Sequence, residues 1–336
     1  MTGDTIPPDS HRGGQVWVLA DDRVGNMNQC LGVAEALAAP YQVKQLEYNR
    51  FARLPNILLG ASLVHIRAPF AATIAPPWPA VVIAAGRRTV PVARVIKRRA
   101  GGRTFLVQTM WPGPPAADLD LIATPEHDSI RDRANMIRTI GAPHRVTAAR
   151  LSAESDKWCD RLAGVRHPRI ALVVGGDTRK YRFSRALAAD LARLASNLAL
   201  RLGGALMVTT SRRTRPDARR ALLDNIAAEA SCFVWTREAQ DNPYLAYLAL
   251  GDAIIVTGDS TSMCTEACAT GRPVYIHAPP DHTAAKHKRL HDRLYALGCA
   301  RPLKSAIEAG ELADWRYPPL DDAAKIGAEI ARRARL

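Results

Sequence analysis

Residues 253–276 have the sequence AIIVTGDSTSMCTEACATGRPVYI, and this stretch decides the fold class of the chain. The apolar run Ala253–Thr257 predicts a buried strand, and the spacing that follows predicts a helix over Thr261–Thr270. Pro273 marks the start of a second strand, Val274–Ile276. Two strands joined by a helix form the βαβ unit of a parallel sheet.

The same alternation continues over the rest of the chain, except in a polar stretch near residues 145–166. This interruption separates two halves, each with enough strands for its own parallel sheet. We therefore predict an α/β protein with two Rossmann-like domains facing a cleft, where ligands bind outside the strand ends. The predicted domains are residues 15–150 and residues 151–320. A C-terminal helix is predicted over residues 321–336, and it could pack back on the first domain.

Each half contributes several predicted strands and helices. The other predicted strands are Gln15–Ala20, Tyr41–Leu46, Ala80–Ala84, Thr104–Gln108, Leu119–Ala123, Arg169–Val174, Ala205–Thr209 and Phe233–Trp235. The other predicted helices are Asn28–Ala39, Val90–Arg99, Ser184–Leu202, Arg215–Ala230, Asn242–Leu250, Lys286–Leu297 and Ala323–Arg335.

The composition is that of a globular protein, with 47% hydrophobic and 23% charged residues among 336. The formal net charge of +14 favours anionic partners such as phosphorylated ligands or anionic lipid, although a GC-rich genome explains it equally well. Aromatic residues do not interleave with the basic clusters, and no nucleic-acid-binding module is visible. Nucleic acid is therefore not an expected partner.

No apolar run is long enough for a membrane span of about 18 residues. The run Leu54–Ile66 is short, and Pro55, Asn56 and His65 interrupt it. Residues 1–14 lack the layout of a signal peptide and are expected to be a disordered leader. The scattered cysteines favour a reducing cytosol. We expect a cytoplasmic protein, with peripheral contact at the inner membrane as an open alternative.

The helix predicted after the strand Ala253–Thr257 begins with a candidate anion site. Free backbone N–H groups and small side chains meet there at Ser260, Thr261, Ser262 and Met263. Glu266 lies further along the helix, from where its carboxylate could accept hydrogen bonds from two hydroxyls of a ribose. The alternative is that these residues form only a capped helix start, with Glu266 as a capping carboxylate.

Four segments together resemble bacterial members of the family named after the plant mitochondrial-fission (elongated mitochondria) protein. They are Asp22–Gln29 (DRVGNMNQ), Gly86-Arg87-Arg88, Gly175–Phe183 (GGDTRKYRF) and Thr257–Glu266 (TGDSTSMCTE). The last segment also resembles the donor-nucleotide site of GT-B glycosyltransferases, notably the bacterial N-acetylglucosaminyltransferase that makes lipid II. This resemblance implies a GT-B type fold, donor phosphates at Thr261–Met263 and donor ribose at Glu266. Those enzymes usually have a glycine-rich phrase where this chain has Asp259-Ser260-Thr261.

The segment after the first predicted strand carries candidate catalytic residues. GT-B enzymes place an acceptor or catalytic loop at this position, so the resemblance implies the same here. Gly25 lets the backbone come close to a ligand, and Asn28 can orient sugar hydroxyls. Since this segment contains no histidine, Asp21 or Asp22 is the candidate general base, with His127 after the strand Leu119–Ala123 as the alternative. The alternative is a polar turn between strand and helix.

Positive charge follows two further strands. Arg88, after the strand Ala80–Ala84, could bind phosphate bidentately, although Arg87 and Arg88 could also be a surface pair. The glycine-rich turn after Arg169–Val174 would let a diphosphate approach the backbone. That turn consists of Gly175, Gly176, Asp177 and Thr178, and the cations Arg179, Lys180 and Arg182 follow it. These cations could neutralise a departing nucleoside diphosphate without a metal ion.

Five residues near the C-terminus suggest zinc as an alternative: His277, Asp281, His282, His287 and His291. The last two are spaced i, i+4 on a predicted helix, as zinc-binding histidines can be. Lys288 stands where a metalloprotease motif has glutamate, so no metal site is expected. The resemblance to GT-B enzymes implies instead that this loop faces the donor sugar.

The predicted function is metal-independent glycosyl transfer from a nucleoside-diphosphate sugar to an envelope saccharide or lipid-linked acceptor. The predicted catalytic residues are Asp22, Asn28, Arg88 and Lys180, and no cofactor is expected beyond the donor substrate. The alternative is a non-catalytic GT-B-like scaffold that recruits partner proteins at a membrane. NAD-dependent sugar epimerisation is disfavoured, because the first strand-to-helix turn lacks a Gly-x-Gly-x-x-Gly motif.

Overall fold

The computed structural model describes residues 15–236 and 241–335. The predicted leader, residues 1–14, lies outside the described residues. Contacts divide the chain into two compact units. The first unit holds the described residues up to Thr139, Pro143–Arg145 and the residues from Asp322 onwards, and the second holds Ile140–Ala142 and Val146–Asp321.

Strands and helices alternate along both units. The strands are β1 (Val16–Ala20), β2 (Tyr41–Gln45), β3 (Val81–Ala85), β4 (Phe105–Thr109), β5 (Leu121–Pro125), β6 (Met136–Thr139), β7 (Arg169–Val174), β8 (Ala205–Thr210), β9 (Ala230–Phe233), β10 (Ala253–Thr257), β11 (Val274–His277) and β12 (Arg301–Pro302). The helices are α1 (Val24–Ala36), α2 (Asn56–Leu59), α3 (Ala68–Ala72), α4 (Val90–Arg99), α5 (Ala148–Trp158), α6 (Arg185–Arg201), α7 (Pro216–Asp224), α8 (Tyr244–Leu250), α9 (Thr261–Cys268), α10 (Ala285–Ala296), α11 (Leu303–Ala309) and α12 (Asp322–Ala334).

Each unit is built on a six-stranded, all-parallel sheet, which confirms the predicted pair of Rossmann-like sheets. The strand order is β2-β1-β3-β4-β5-β6 in the first unit and β12-β11-β10-β7-β8-β9 in the second. In the first sheet, β2 lies on one side of β1 and the strands from β3 onwards lie on its other side. In the second sheet, β8 and β9 lie on one side of β7 and the strands from β10 onwards lie on its other side. Such switch points open a crevice at the carboxyl ends of the two strands.

Both faces of each sheet are buried, which explains the continuous apolar runs of the central strands. In β1, Trp17 and Leu19 point into one core while Val16 and Val18 point into the other. In β7, Ile170, Leu172 and Val174 belong to one core, and Ala171 and Val173 to the other. Within the first unit, Ile326 and Ile330 of α12 complete the core that contains Val16 and Val18.

Several predicted element boundaries are wrong. Helix α1 begins at Val24 and not at Asn28, and α7 ends at Asp224, with Ala230 opening β9. The sequence pattern also misses α5, because Trp158 is its only buried residue and Thr147 caps it through the Arg150 N–H. The short elements β6, β12 and α11 were missed for the same lack of an apolar repeat. Among residues 15–236 and 241–335, no helix is both long and apolar enough to cross a bilayer.

Candidate functional site

The switch point of the second unit is held together by the carboxylate of Asp259. It accepts a hydrogen bond from the Gly176 N–H (2.9 Å) and forms an ion pair with the Arg213 guanidinium (2.8 Å). The Gly175 N–H donates to the Thr257 hydroxyl at 2.8 Å. The loops after β7, β8 and β10 are thereby tied to one another at the carboxyl end of the sheet.

These close contacts explain why glycine stands at positions 175 and 176. A Cβ on Gly175 would lie 2.3 Å from an Asp259 carboxylate oxygen, and a Cβ on Gly176 would lie 2.1 Å from the Arg213 carbonyl oxygen. Loop packing within the unit thus requires glycine at position 176, where the clash is with backbone, while at position 175 the clash is with a side-chain carboxylate. A role of either glycine in the approach of a diphosphate stays a prediction.

The backbone N–H groups of residues 175–178 are already paired. The Gly175 N–H donates to Thr257 Oγ1, and the Gly176 N–H donates to the Asp259 carboxylate. The Asp177 N–H donates to the Arg213 carbonyl (3.0 Å), and the Thr178 N–H donates to the Tyr181 carbonyl (2.9 Å). In this conformation these N–H groups already have acceptors within the protein, and the approach of a diphosphate to this turn stays a prediction. Its polar side chains also stabilise the loop, since Asp177 accepts from the Phe183 N–H (2.8 Å) and Thr178 from the Tyr181 N–H (3.0 Å).

The cations that follow this turn differ in their surroundings. Arg182 lies 3.7 Å from the Asp217 carboxylate, so part of its charge is neutralised. Arg179 and Lys180 are exposed, and the Lys180 ammonium lies 5.5 Å from the centre of the Tyr181 ring. The positive charges of Arg179 and Lys180 are therefore available to interact with an anionic ligand.

An open pocket lies beside this loop. Its wall includes Gly176, Phe183, Gly258, Asp259 and His277. Asp259 Oδ1 and His277 Nε2 are buried there without a hydrogen-bond partner. Burial lowers the pKa of His277 to about 4, so its imidazole is neutral at pH 7. The pocket therefore presents one carboxylate oxygen and one neutral imidazole nitrogen to a polar ligand.

The start of α9 is a capped helix end with two N–H groups left over. The Ser260 hydroxyl accepts the Met263 N–H at 3.4 Å, so the capped-helix alternative describes these two residues. The first N–H groups of a helix have no intrahelical partner. Of the hydrogen-bond donors predicted for an anion, the N–H groups of Thr261 and Ser262 therefore remain.

Glu266 does not cap its own helix. Its carboxylate instead accepts a short hydrogen bond from the Tyr244 hydroxyl at the start of α8. Burial raises the pKa of Glu266 to about 7, while the Tyr244 bond and the nearby charge of Arg150 oppose that rise. The result is a half-buried carboxyl group held in place from a second helix, close to half-ionised at neutral pH.

This raised pKa predicts a stability change with pH. The unfolded Glu266 has its ordinary pKa of 4.5, so the folded state binds more protons between pH 4.5 and about 7. Stability from this group is complete below pH 4.5 and lost as pH rises through 7. Glu266→Gln, which keeps the acceptor for Tyr244, is expected to be about 2–3 kcal/mol more stable than the parent at pH 8 and equal to it at pH 4.

Urea unfolding at both pH values, with the exposed Glu311→Gln as control, measures this difference. A Glu266→Gln advantage that is the same at pH 4 and pH 8 would contradict the raised pKa.

The switch point of the first unit is also closed by a carboxylate and an arginine. The Asp21 side chain is 2% exposed; it accepts hydrogen bonds from Asn26 Nδ2 (2.9 Å) and the Arg88 guanidinium (3.5 Å). Arg88 also forms a short ion pair with Asp22, and its guanidinium lies 4.2 Å from the centre of the Tyr48 ring. In this conformation Arg88 is therefore paired with two carboxylates, and its binding of phosphate stays a prediction.

The neighbours of this pair have structural roles as well. Gly86 adopts φ +77°, a conformation that favours glycine, and a Cβ there would lie 2.9 Å from Asn26 Nδ2. Arg87 donates to the carbonyl oxygens of Leu54 (2.7 Å) and Ala52 (2.9 Å). Gly25 lies inside α1, and nothing stands within 4 Å of the Cβ position that it lacks.

Two other predicted residues of the first unit remain accessible. The Asp22 side chain is 61% exposed and Asn28 is half-buried in the first turns of α1. Asp22 is thus the more accessible of the two candidate bases, while Asp21 is enclosed by its partners.

Two of the histidines considered for zinc contact other groups of the protein. His291 is buried and its Nε2 lies 3.0 Å from the Gly258 carbonyl oxygen. His282 makes an edge contact with the Tyr181 ring, with centroids 6.3 Å apart. Within the described part of the chain, no three His, Cys, Asp or Glu side chains are grouped as a metal site would require.

The two parallel sheets and their switch-point loops define a protein of the GT-B type. A solved structure with this fold is that of UDP-GlcNAc 2-epimerase from Neisseria meningitidis bound to UDP-GlcNAc. It matches with a TM-score of 0.54 and 12% identity, covering 95% of this chain and 100% of that one.

The chain belongs to the Mitochondrial fission ELM1 family, whose model matches residues 24–334. It is 30% identical to the uncharacterized protein RP120 of Rickettsia prowazekii (strain Madrid E) over 95% of this chain and 98% of the relative. It is also 30% identical to Mitochondrial fission protein ELM1 of Arabidopsis thaliana, over 76% of this chain and 64% of that protein. The predicted family membership is therefore confirmed.

Sequence reasoning missed Tyr244 and Arg213. Tyr244 sits 22 residues before its partner Glu266, and no local pattern connects them. Arg213 follows the carboxyl end of β8, next to β7 in the sheet. Polar residues that follow a strand next to a switch point are a signal that could have found it.

Proposed function

We propose that the second unit binds a nucleoside-diphosphate sugar, and that the protein transfers the sugar to a saccharide or lipid-linked acceptor of the cell envelope. The observation that carries this proposal is Glu266, a carboxyl group fixed by Tyr244 one helical turn beyond a helix start that keeps two N–H groups without an intrahelical acceptor. A carboxylate so placed suits a ribose, and the N–H groups of Thr261 and Ser262 suit a phosphate.

The pocket beside Asp259 and His277 is the proposed place of the sugar. Both residues keep an unpaired buried polar atom there, and sugar hydroxyls can donate to each of them. The exposed cations Arg179 and Lys180 would screen the diphosphate as it leaves, so the proposed reaction needs no metal ion. The epimerase with the same fold is bound to UDP-GlcNAc, which supports this class of ligand.

In the proposed reaction, an acceptor hydroxyl oxygen attacks the anomeric carbon of the donor. The bond from that carbon to the phosphate oxygen breaks, and the nucleoside diphosphate leaves. Asp22 is the proposed base that takes the hydroxyl proton, with Arg88 orienting its carboxylate and Asn28 binding the acceptor. The reaction is complete without a cofactor beyond the donor.

Nucleotide binding is the direct test. UDP, GDP and TDP and their sugars, added in EDTA, should include one that raises the melting temperature. At a hundredfold excess over Kd, that ligand stabilises the protein by about 2.7 kcal/mol. Glu266→Ala should weaken binding of the same ligand about 10- to 100-fold, because hydrogen bonds to a charged group are worth about 1.5–3 kcal/mol.

Glu311→Ala, which removes an exposed carboxylate elsewhere in the second unit, should leave the affinity unchanged. If no nucleoside diphosphate or nucleotide sugar shifts the melting temperature at millimolar concentration, the donor-binding proposal is wrong. The non-catalytic scaffold then becomes the better explanation of the fold.

A further inference from the structure

We propose that an apolar, arginine-rich face of the first unit docks on the surface of an anionic lipid bilayer. This docking face consists of the exposed side chains of Phe51, Leu54, Ile57, Leu58 and Val64. The proposal does not depend on nucleotide binding, since the face is built from residues of the first unit alone.

Ile57 and Leu58 are the most exposed large apolar side chains of the described residues. Ile57 is 72% exposed, Leu58 70% and Val64 54%. In the described part of the second unit, the large apolar side chains with comparable exposure are Leu200 and Leu297, which are isolated from each other in sequence. Contiguous exposed apolar side chains mark interaction surfaces, whereas scattered ones do not.

The backbone behind the docking face is held in place from several sides. Arg87 donates to the carbonyl oxygens of Ala52 and Leu54, and Arg98 donates to that of Ala61 at 3.0 Å. Asn49 donates to the Val64 carbonyl at 2.8 Å. Helix α2 buries Leu59 beneath the face, so that Ile57 and Leu58 point outwards from a fixed support.

The charge around the face selects the partner. Residues 48–117 contain no Asp or Glu but ten basic residues, of which four form ion pairs with carboxylates outside this range. Arg50, Arg53 and Arg98 are exposed in or beside the face, and the Arg50 guanidinium lies 5.1 Å from the Phe51 ring centre. An apolar tip surrounded by arginines matches the acyl boundary and anionic headgroups of a membrane surface.

A second copy of the chain fits the face less well. A two-fold interface brings the same patch together from both copies, so the arginines of one would meet those of the other. Like charges brought together in this way oppose association. Anionic lipid, in contrast, offers the opposite charge to every arginine at once.

Vesicle co-sedimentation of the full chain tests the proposal. The protein should bind phosphatidylglycerol/phosphatidylcholine vesicles, bind pure phosphatidylcholine vesicles much less, and lose affinity as salt rises. Ile57→Ser/Leu58→Ser should lower the partition coefficient at least about tenfold, because two apolar side chains no longer enter the bilayer. The control Leu200→Ser, also an exposed leucine, should bind as the parent does.

A charge-matched pair of variants separates lipid attraction from net charge. Arg50→Gln/Arg53→Gln should lower binding to the anionic vesicles about 10- to 30-fold, since each arginine near the surface adds about 1 kcal/mol. Arg185→Gln/Arg220→Gln removes the same charge from exposed positions of the second unit and should have little effect.

Absence of vesicle binding, or equal loss in the target and control pairs, would overturn the proposal. So would a change of molecular mass in Ile57→Ser/Leu58→Ser by light scattering without any change in vesicle binding, because the face would then join two copies.

Discussion

Gly176→Ala is expected to lower the free energy of unfolding by about 3 kcal/mol, measured by urea denaturation. The new Cβ would lie 2.1 Å from the Arg213 carbonyl oxygen and 2.6 Å from the Thr214 nitrogen. Both are backbone atoms, so no side chain can rotate away to make room. The loops after β7 and β8 would have to separate, and the Asp259 hydrogen bond to residue 176 would lengthen with them.

Gly25→Ala is the matched control for this substitution. Gly25 lies in α1, and nothing stands within 4 Å of its would-be Cβ. Since alanine favours a helix over glycine by up to about 1 kcal/mol, this variant should be neutral or slightly more stable. Equal destabilisation by the two substitutions would mean that loop packing is not what requires glycine at position 176.

Arg88→Ala is expected to destabilise the first unit by about 2–4 kcal/mol. The change removes the ion pairs with Asp21 and Asp22 and the contact with the Tyr48 ring. The Asp21 side chain, 2% exposed, would keep its negative charge with fewer partners, and an uncompensated buried charge is costly. Urea denaturation of the variant measures the loss, and Arg131→Ala, at an exposed position, should cost less than about 0.5 kcal/mol.

A second substitution distinguishes loss of charge compensation from loss of packing. Asp21→Asn in the Arg88→Ala background removes the buried charge and should recover part of the stability. If the double variant is as unstable as the sum of the two single ones, then Arg88 and Asp21 are not coupled.

Similar ion pairs thus occupy the switch points of both sheets, Asp21 with Arg88 and Asp259 with Arg213. In each unit an arginine that could have served an anionic ligand already neutralises a carboxylate. The positive potential left for a diphosphate in the second unit comes from the start of α9 and from Arg179 and Lys180. This is why the proposed donor site depends on the α9 start and not on the glycine-rich turn.

The sequence by itself determined the two parallel sheets, because strands buried on both faces are continuous apolar runs and their helices have a regular apolar spacing. Residues 253–276 carried that signal almost without error, and Ser260 was correctly found at the start of a helix. The sequence also located the polar loops at strand ends, since side chains that follow a buried strand must leave the core.

Only the tertiary structure decided what those loops do. Gly175 and Gly176 meet Thr257 and Asp259 across 82 and 83 residues, and no local pattern reports a contact of that length. The partners of Arg88 and Glu266 were hidden for the same reason. The residue type determines which hydrogen bonds a side chain can form. Which of them it forms depends on the strands and loops beside it, and the strand order of the folded sheet sets those neighbours.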